Sequence, residues 1–398
     1  FHKFYDDPSI NRTIKELSSA LKKTSHNLII SSHLFPSSEE LDELMAIVNL
    51  PLPDQRELKN LIKQIAINTN SNLEEQDLNE LSIASSGLTE MKVKQVTAKA
   101  LAQRGKISKE DIKDILEEKK QVIARSEILE FFEAKSSQDD IGGLNVLKVW
   151  LNQRYRAFSK EARVYGLPIP KGVLLVGAQG TGKSLTAKSI SKSWSMPLLR
   201  LDVGRLFSSL VGSSEARTRE TISRAEAMSP CILWIDEIDK GFGGDARSDG
   251  GTSQRVLASL LTWMAEKESA VFVIATANAI DKLPPELLRK GRFDEIFFLD
   301  LPNAEERLSI LDLHLKKRRP SYNFPLTTII GRTDGFSGAE LEQAVIEGMH
   351  ISFSENRELT EKDLIKAVSE LVPLSRTAKE QINLLKEWSS TGRARSAS

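Results

Sequence analysis

The stretch of sequence that decides the fold is Gly172-Val173-Leu174-Leu175-Val176-Gly177-Ala178-Gln179-Gly180-Thr181-Gly182-Lys183-Ser184. An apolar run of strand length leads into a glycine-rich turn, and a helical segment follows it. Glycines let the backbone wrap around phosphates, while Lys183 can neutralise them and the Ser184 hydroxyl can ligate Mg²⁺. The sequence therefore predicts an α/β fold with a phosphate-binding loop. The residues expected to contact the nucleotide there are Gly177, Gly180, Thr181, Gly182, Lys183, Ser184 and Leu185.

Two further apolar segments are each followed directly by polar residues. Residues 232–235 form an apolar run that is followed by Asp236 and Glu237. Two carboxylates at the end of a buried strand are costly unless both have a chemical role. Asp236 is expected to hold the magnesium shell, and Glu237 is expected to polarise the attacking water. Residues 271–277 form another apolar run, and the Asn278 amide after it is expected to lie beside the γ-phosphate.

The composition excludes several other classes of protein. The 398 residues contain 55 lysines and arginines and 55 aspartates and glutamates, and this balance disfavours a dedicated nucleic-acid binder. No intrachain disulfide can form, because Cys231 is the single cysteine. No apolar run approaches the roughly 20 residues that a membrane helix needs. The sequence lacks an initial Met, and we expect it to begin inside a longer chain.

The N-terminal third of the sequence repeats features of the C-terminal half. Residues 27–32 and 48–53 have the pattern of short strands, and residues 271–276 and 297–302 have the same pattern in the same order. A helix is predicted after each second strand. Residues 1–135 are therefore expected to form a truncated, degenerate copy of the downstream module, with strands and a helical lid but no phosphate-binding loop.

Helix-capping residues support this repeat. Asp54 with Glu57 and Asn303 with Glu306 have the spacing of a capping box, in which N-cap and N3 residues exchange hydrogen bonds. Further matching N-caps are predicted at Ser108 and Thr360. The small polar residues 134–138 are the expected boundary between the two copies.

The string Arg289-Lys290-Gly291-Arg292-Phe293-Asp294 resembles the second region of homology of the AAA family, the ring-forming ATPases. The resemblance extends over residues 139–373 and implies a parallel sheet core followed by a helical lid. It implies a role for each matching residue: Lys183 and Ser184 as the Walker A pair, Asp236 and Glu237 as the Walker B pair, Asn278 as sensor 1, and Arg289 and Arg292 as arginine fingers.

The same resemblance implies where the base of ATP binds. Ile141 and Gly142 match a segment that holds adenine through backbone contacts, and His314, Gly338 and Ala339 match lid positions near the nucleoside. The implied domains are a core at 139–302, a lid at 303–388 and a disordered tail at 389–398.

One position departs from the family pattern. Family members that thread proteins through a central pore carry an aromatic residue where this sequence has Leu210, so processive threading is in doubt. The glycine-rich residues 241–251 lie where a second pore loop is expected, and an ordinary mobile loop is the alternative interpretation.

The resemblance implies Mg²⁺-dependent ATP hydrolysis coupled to remodelling or assembly of a protein partner. The arginine fingers imply a homo-oligomer, in this family usually a six-membered ring. Residues 202–207 resemble a branch of the family encoded on algal chloroplast genomes and in cyanobacteria, which implies the chloroplast stroma or the cyanobacterial cytoplasm. A nucleotide-gated oligomeric scaffold with slow turnover is the alternative. A nucleic-acid remodeller is disfavoured by the zero net charge.

Overall fold

The structure is a computed structural model that describes residues 7–31, 44, 46, 48, 52–124, 128–132, 141–207, 213–242 and 252–398. The chain divides into two compact units, residues 1–52 and residues 53–398. The domain boundary expected at residues 134–138 lies outside the described residues and stays a prediction.

The first unit contains one described helix, α1 (Pro8–Leu21). The helix begins where the Asp7 carboxylate accepts a hydrogen bond from the Ser9 N–H at 2.9 Å. Its Ile14 is buried against the partly buried Ile30. Among the described residues of the first unit, the packing therefore rests on a small apolar contact.

The strand predicted at residues 27–32 is not found. Residues 27–31 have no regular secondary structure, and Ile29 is 89% exposed. Val48, in the second predicted strand, is 79% exposed. A short apolar run becomes a strand only when a neighbouring strand pairs with its backbone, and the described residues of this unit supply none.

Four helices open the second unit: α2 (Gln55–Asn68), α3 (Glu75–Ser85), α4 (Glu90–Arg104) and α5 (Ile112–Ala124). They share an apolar core that includes Leu58, Leu81, Val93 and Ile115. The bundle packs onto the rest of the unit, since a Cβ at Gly87 would lie 2.6 Å from Met228 Sδ. The helical part of the predicted N-terminal copy is therefore present.

The predicted capping boxes are confirmed in both copies. Asp54 Oδ1 accepts from Glu57 N at 2.8 Å, and Asn303 Oδ1 accepts from Glu306 N at 3.0 Å. In each pair the glutamate also accepts a hydrogen bond from the backbone N–H of the cap. The backbone N–H groups of the other predicted caps donate to carboxylates at 2.9 Å, Ser108 to Asp111 and Thr360 to Asp363.

A seven-stranded sheet forms the centre of the second unit. Its strands are β1 (Leu129–Phe132), β2 (Gly172–Gly177), β3 (Leu198–Leu201), β4 (Cys231–Ile235), β5 (Val271–Ala277), β6 (Glu295–Leu299) and β7 (Arg395–Ser396). The spatial order is β1-β3-β4-β5-β2-β6-β7, and only the β1–β3 pair is antiparallel. The central strands β2, β4 and β5 are buried along their whole length, as expected of parallel strands covered on both faces.

Helices cover both faces of this sheet. They are α6 (Asn145–Arg156), α7 (Lys160–Val164), α8 (Lys183–Ser193), α9 (Val203–Phe207), α10 (Ser213–Ala227) and α11 (Thr252–Glu266). Two apolar clusters lie on opposite faces, since residues of the strands alternate between them: Leu174 belongs to one, and Val173 and Leu175 to the other.

The lid follows β6 and has its own apolar core, which includes Leu311, Phe336, Leu341 and Leu364. Its helices are α12 (Ala304–Arg318), α13 (Thr327–Ile330), α14 (Gly338–Ser354), α15 (Glu361–Glu370) and α16 (Leu374–Thr377). The next helix, α17 (Lys379–Trp388), instead places Leu385 and Trp388 in an apolar cluster of the sheet. The structure therefore has the α/β core and helical lid that the sequence predicts.

The last ten residues do not match the expected disordered tail. Residues 389–393 continue α17 as a π-helical turn, and β7 then pairs in parallel with β6. Arg-Ser has little intrinsic strand propensity, so the pairing depends on backbone hydrogen bonds that the sequence does not reveal. The tail thereby extends the sheet by one strand.

Candidate active site

One cavity of about 410 Å³ lies at the carboxyl ends of β2, β4 and β5, beneath the lid. Ligands of open α/β sheets bind at this edge, because loops after parallel strands converge there. Most of the predicted site residues line it: Ile141, Gly142, Gly180, Thr181, Gly182, Lys183, Ser184, Leu185, Asp236, Glu237, Asn278, His314, Gly338 and Ala339. The structure thus brings together residues that are distant in sequence.

The loop between β2 and α8 has the backbone that a phosphate cradle needs. Gly180 and Gly182 have φ values of +76° and +91°, which side-chain-bearing residues rarely adopt. Lys183 Nζ donates to the carbonyl oxygens of Gly177 at 2.7 Å and Ala178 at 2.6 Å. Gly177, which does not line the cavity, therefore contributes through its carbonyl, and the ammonium group is held beside the first turn of α8.

The charge of Lys183 depends on its surroundings. Burial lowers the pKa of its ammonium to about 8, and the carboxylates of Asp239, Asp236 and Glu237 oppose this shift. The side chain is 6% exposed. The phosphates of a bound nucleotide would add negative charge and favour the protonated form further.

Oxygen ligands suited to magnesium meet beside Lys183. Ser184 Oγ donates to Asp236 Oδ1 at 3.1 Å, and Thr276 Oγ1 donates to the same oxygen at 2.7 Å. Hydroxyl and carboxylate oxygens are the hard ligands that Mg²⁺ prefers. Arg200 Nη2 lies 3.8 Å from the other oxygen of Asp236. The donor set fits Mg²⁺, with Ser184 and Asp236 as the residues that would hold it.

Glu237 has an unusual backbone conformation, and both of its carboxylate oxygens contact other side chains. Its φ is +51°, and its N–H donates to Thr276 Oγ1 at 2.9 Å. Asn278 Nδ2 donates to Glu237 Oε1 at 3.1 Å, which joins the ends of β4 and β5. Lys240 Nζ lies 2.5 Å from Oε2. A non-glycine residue at positive φ is a strained feature that is common in active sites.

Asp239 fixes the position of Asn278. Its carboxylate is buried and accepts hydrogen bonds from the N–H groups of Asn278 and Ala279, both at 3.2 Å. Gln381, on α17, donates to the Asn278 carbonyl at 3.1 Å. Neither Asp239 nor Gln381 was predicted from the sequence as a partner of Asn278. A signal for Asp239 was available in the sequence, because it is a third acidic residue that follows the Asp236-Glu237 pair after Ile238.

The base-binding end of the cavity lies between Ile141-Gly142 and the lid. A Cβ at Gly142 would lie 2.6 Å from Ile310 Cγ1, so the segment packs closely on α12. Burial lowers the pKa of His314, while the Glu342 carboxylate opposes the shift. His314 Nδ1 accepts a hydrogen bond from Arg318 Nη1 at 3.1 Å, so the neutral imidazole carries its proton on Nε2 and can donate it to a nucleoside.

The lid touches the phosphate-binding loop directly. Ala339 N donates to the Gly180 carbonyl at 3.2 Å, and a Cβ at Gly180 would lie 2.8 Å from Ser337 Oγ. Ser337 caps α14, and Gly338 and Ala339 form its first turn. The N-terminus of α14 thus faces the nucleotide cavity.

The predicted arginine fingers lie away from this cavity. Neither Arg289 nor Arg292 lines it. Arg289 is exposed, and Arg292 is half-buried with a buried Nε that has no hydrogen-bond partner. Leu210 and most of the predicted second pore loop, residues 243–251, lie outside the described residues. The roles of these residues stay predictions.

Several lining residues were not predicted as site residues. Some are sequence neighbours of predicted positions, as with Gln179 and Leu144, so proximity was an available signal. The lid residues depend on tertiary packing, which no local pattern reveals. The full set is Leu144, Gln179, Thr276, Asp300, Pro302, Glu306, Ile310, Leu313 and Glu342.

Comparison with protein families agrees with this geometry. The family model for the ATPase family associated with various cellular activities (AAA) matches residues 173–301. A second model, for the second domain of SpoVK-like AAA ATPases, matches residues 56–126. The second match covers the four N-terminal helices of the second unit, and it confirms the predicted relation of that segment to AAA proteins. No helix among the described residues is long and apolar enough to cross a membrane.

Curated relatives extend the comparison to the whole chain. The uncharacterized AAA domain-containing protein ycf46 of Guillardia theta is 48% identical over 401 residues, which cover 100% of this chain and 79% of that protein. The protein of the same name from Pyropia yezoensis is 46% identical over 100% of this chain and 82% of its own length. An ATP-dependent zinc metalloprotease FtsH from Cyanidium caldarium is 37% identical over 59% of this chain and 39% of its own. The chain belongs to the AAA ATPases, in the family of these algal AAA domain-containing proteins.

Proposed function

We propose that this chain hydrolyses ATP in the presence of Mg²⁺ and couples hydrolysis to remodelling or assembly of a protein partner. The observation that carries the proposal is the pair formed by Glu237 Oε1 and Asn278 Nδ2, 3.1 Å apart at the mouth of the phosphate-binding loop. A carboxylate and an amide at adjacent strand ends can each hydrogen-bond to the same water molecule and orient it beside them. AAA family membership supports ATPase activity in general.

The chemistry of each residue follows from its position. Glu237 accepts a proton from water as it attacks the γ-phosphate, and Asn278 holds that water in line. Lys183 stabilises negative charge on the phosphate oxygens from the first turn of α8. Ser184 and Asp236 would hold Mg²⁺, which supplies charge neutralisation when it is bound.

We further propose that the active species is a homo-oligomer, with a six-membered ring as the expected form. Arg289 is exposed and Arg292 is half-buried, and both lie outside the cavity of their own chain. Such guanidinium groups are free to reach the ATP of a neighbouring copy. The protein partner would be remodelled in the chloroplast stroma or the cyanobacterial cytoplasm, in keeping with the photosynthetic sources of the relatives.

A second candidate function is a nucleotide-gated scaffold in which turnover is slow and incidental. The specific observation that favours it is Lys240, whose ammonium group lies 2.5 Å from Glu237 Oε2. Both carboxylate oxygens of Glu237 then already have partners, Asn278 and Lys240, so the carboxylate is less available to bind the attacking water. ATP binding would then control assembly, while hydrolysis would reset it slowly.

The test is the ATPase rate per chain as a function of protein concentration, for the native chain and for Arg292→Ala, Glu237→Gln and Lys290→Ala. We expect the specific rate to rise with concentration and to fall on the order of 10³-fold in Arg292→Ala. Glu237→Gln should bind ATP without hydrolysing it. The exposed neighbour Lys290 is the matched control, and its substitution should leave the rate unchanged.

The outcomes of these measurements separate the alternatives. An ATPase rate per chain that does not change with protein concentration and is the same in Arg292→Ala would refute the shared active site. Stimulation of turnover by a candidate protein partner supports the remodelling function, whereas nucleotide-dependent assembly without stimulation supports the scaffold. Salt-dependent binding of DNA or RNA would instead indicate a nucleic-acid remodeller.

A further inference from the structure

Strand β7 and the two residues after it are fixed by backbone and side-chain contacts. Ala397 N donates to the Phe298 carbonyl at 3.0 Å, which extends the pairing of β7 with β6. The Arg395 guanidinium lies 5.8 Å from the centre of the Phe297 ring. Ala397 is fully buried in the apolar cluster that contains Ile141. A segment with these contacts is part of the core.

The tail also caps the helix that follows the base-binding segment. Leu147 is the third residue of α6, and the first N–H groups of a helix have no acceptor within the helix. The Ala397 carbonyl accepts from Leu147 N at 3.1 Å. Leu144, which precedes α6, provides no side-chain cap. The tail therefore supplies a capping acceptor that the local sequence lacks.

Glu306 joins the tail to the base-binding segment and to the lid. Its Oε1 accepts from Leu144 N at 3.2 Å and from Ser398 Oγ at 2.6 Å. Its Oε2 accepts from Asn303 N at the start of α12. A Cβ at Gly143 would lie 2.4 Å from the same carboxylate, so the two groups are in close contact. One hydrogen-bond network thus connects three segments that are distant in sequence.

The base-binding segment needs this support. Leu144 has a φ of +56°, a strained conformation for a non-glycine residue that persists only when neighbouring residues hold it. Both Leu144 and Glu306 line the nucleotide cavity. Releasing the tail would remove one acceptor from α6 and one donor from Glu306, and the segment could relax away from the base.

We propose that residues 395–398, acting through Leu147 and Glu306, are positioning residues for the base of the nucleotide. This inference rests on the proposed ATP site. Because equilibrium coupling is reciprocal, a bound base stabilises the tail as much as the tail stabilises the bound base. A partner that draws the tail out of the sheet would lower the affinity for ATP without touching the phosphate-binding loop.

The test compares a ligand that has a base with one that lacks it. Calorimetric affinities for ATP and for inorganic tripolyphosphate are measured on the native chain and on a variant that ends at Arg393. We expect ATP affinity to fall about tenfold in the shortened chain, as the loss of one or two hydrogen bonds implies, while tripolyphosphate affinity stays within about twofold. The kcat at saturating ATP should also stay within about twofold.

Point variants separate positioning from a general structural effect. Ser398→Ala removes the hydrogen bond to Glu306 and should weaken ATP binding about threefold. Ser390→Ala is the matched control, since the exposed Ser390 hydroxyl donates to the Glu387 carbonyl and lies outside residues 395–398. Equal losses for ATP and tripolyphosphate, or no loss for either, would overturn the positioning role.

Hydrogen exchange on the native chain tests the coupling even if the shortened chain does not fold. ADP should slow exchange of the Leu147 and Ala397 amides, and tripolyphosphate should not. Identical exchange with both ligands would refute the inference while leaving the ATP site intact. If the native chain binds neither ligand, the proposed function and this inference both fail.

Discussion

Replacing the buried Lys119 by an uncharged side chain is expected to increase the free energy of unfolding. Lys119 lies on α5 and is 2% exposed, close enough to Cys231 for their charges to interact. Burial lowers the pKa of its ammonium group from 10.5 to about 8. That fall corresponds to a folded-state cost on the order of 3 kcal/mol for keeping the side chain charged at pH 7.

We expect Lys119→Met to increase the free energy of unfolding by about 2 to 3 kcal/mol at pH 7, because Met has a similar length and no charge to desolvate. The sign of the pH dependence follows from the lowered pKa. Below pH 8 both folded and unfolded chains are protonated at Lys119, and the full cost is present. Between pH 8 and 10.5 the folded chain loses its proton first, so the native chain gains stability and the advantage of Met shrinks.

Urea unfolding of the native chain and of Lys119→Met, at pH 7 and at pH 9.5, measures the difference in their free energies of unfolding. At pH 9.5 the advantage of Met should be about half or less of its value at pH 7. Lys120→Met is the matched control, because the neighbouring Lys120 side chain is 44% exposed and its ion pair with Glu117 is weak. A destabilised Lys119→Met chain, or a gain that does not change with pH, would refute the reasoning.

Three further predictions concern the site and the core. Gly142→Ala places a Cβ 2.6 Å from Ile310 Cγ1 and should weaken ATP binding about tenfold in calorimetry; unchanged affinity would contradict the close packing. Thr276→Val removes a hydroxyl that hydrogen-bonds both Asp236 and the backbone N–H of residue 237. The kcat for ATP hydrolysis should therefore fall about 10- to 100-fold with little change in melting temperature. An unchanged kcat would show that this hydroxyl is dispensable. Burial raises the pKa of the Cys231 thiol to about 12, so iodoacetamide should modify it at pH 8 only after unfolding; rapid labelling of the native chain would contradict its burial.

The sequence predicted the phosphate-binding half of the site because that chemistry is local. Lys183 and Ser184 follow a strand and begin a helix, and their positions are determined by a few neighbouring residues. Asp236 and Asn278 could be placed because ends of parallel strands meet at one edge of a sheet. Glu306 could be predicted as a helix-capping residue but not as a ligand of Leu144 N, since that contact joins positions 162 residues apart.

The incorrect predictions have a common physical cause. Residues 27–31 have the composition of a strand but no described neighbour to pair with, whereas residues 395–396 have an unfavourable composition and a partner in β6. Strand formation depends on the pairing partner as much as on the side chains. Helix caps were predicted correctly at Asp54 and Asn303 because the hydrogen bonds that define them lie within one turn.

The position of β7 also determines what the sheet offers to other chains. An edge strand exposes unpaired N–H and C=O groups, and a long, flat edge can recruit strands from other molecules. Here β6 is covered, and the edge that remains is two residues long and carries the cationic Arg395. Short, charged edges resist strand addition and aggregation. We therefore expect any contact between copies of this chain to use side-chain surfaces rather than a continuation of the sheet at this edge.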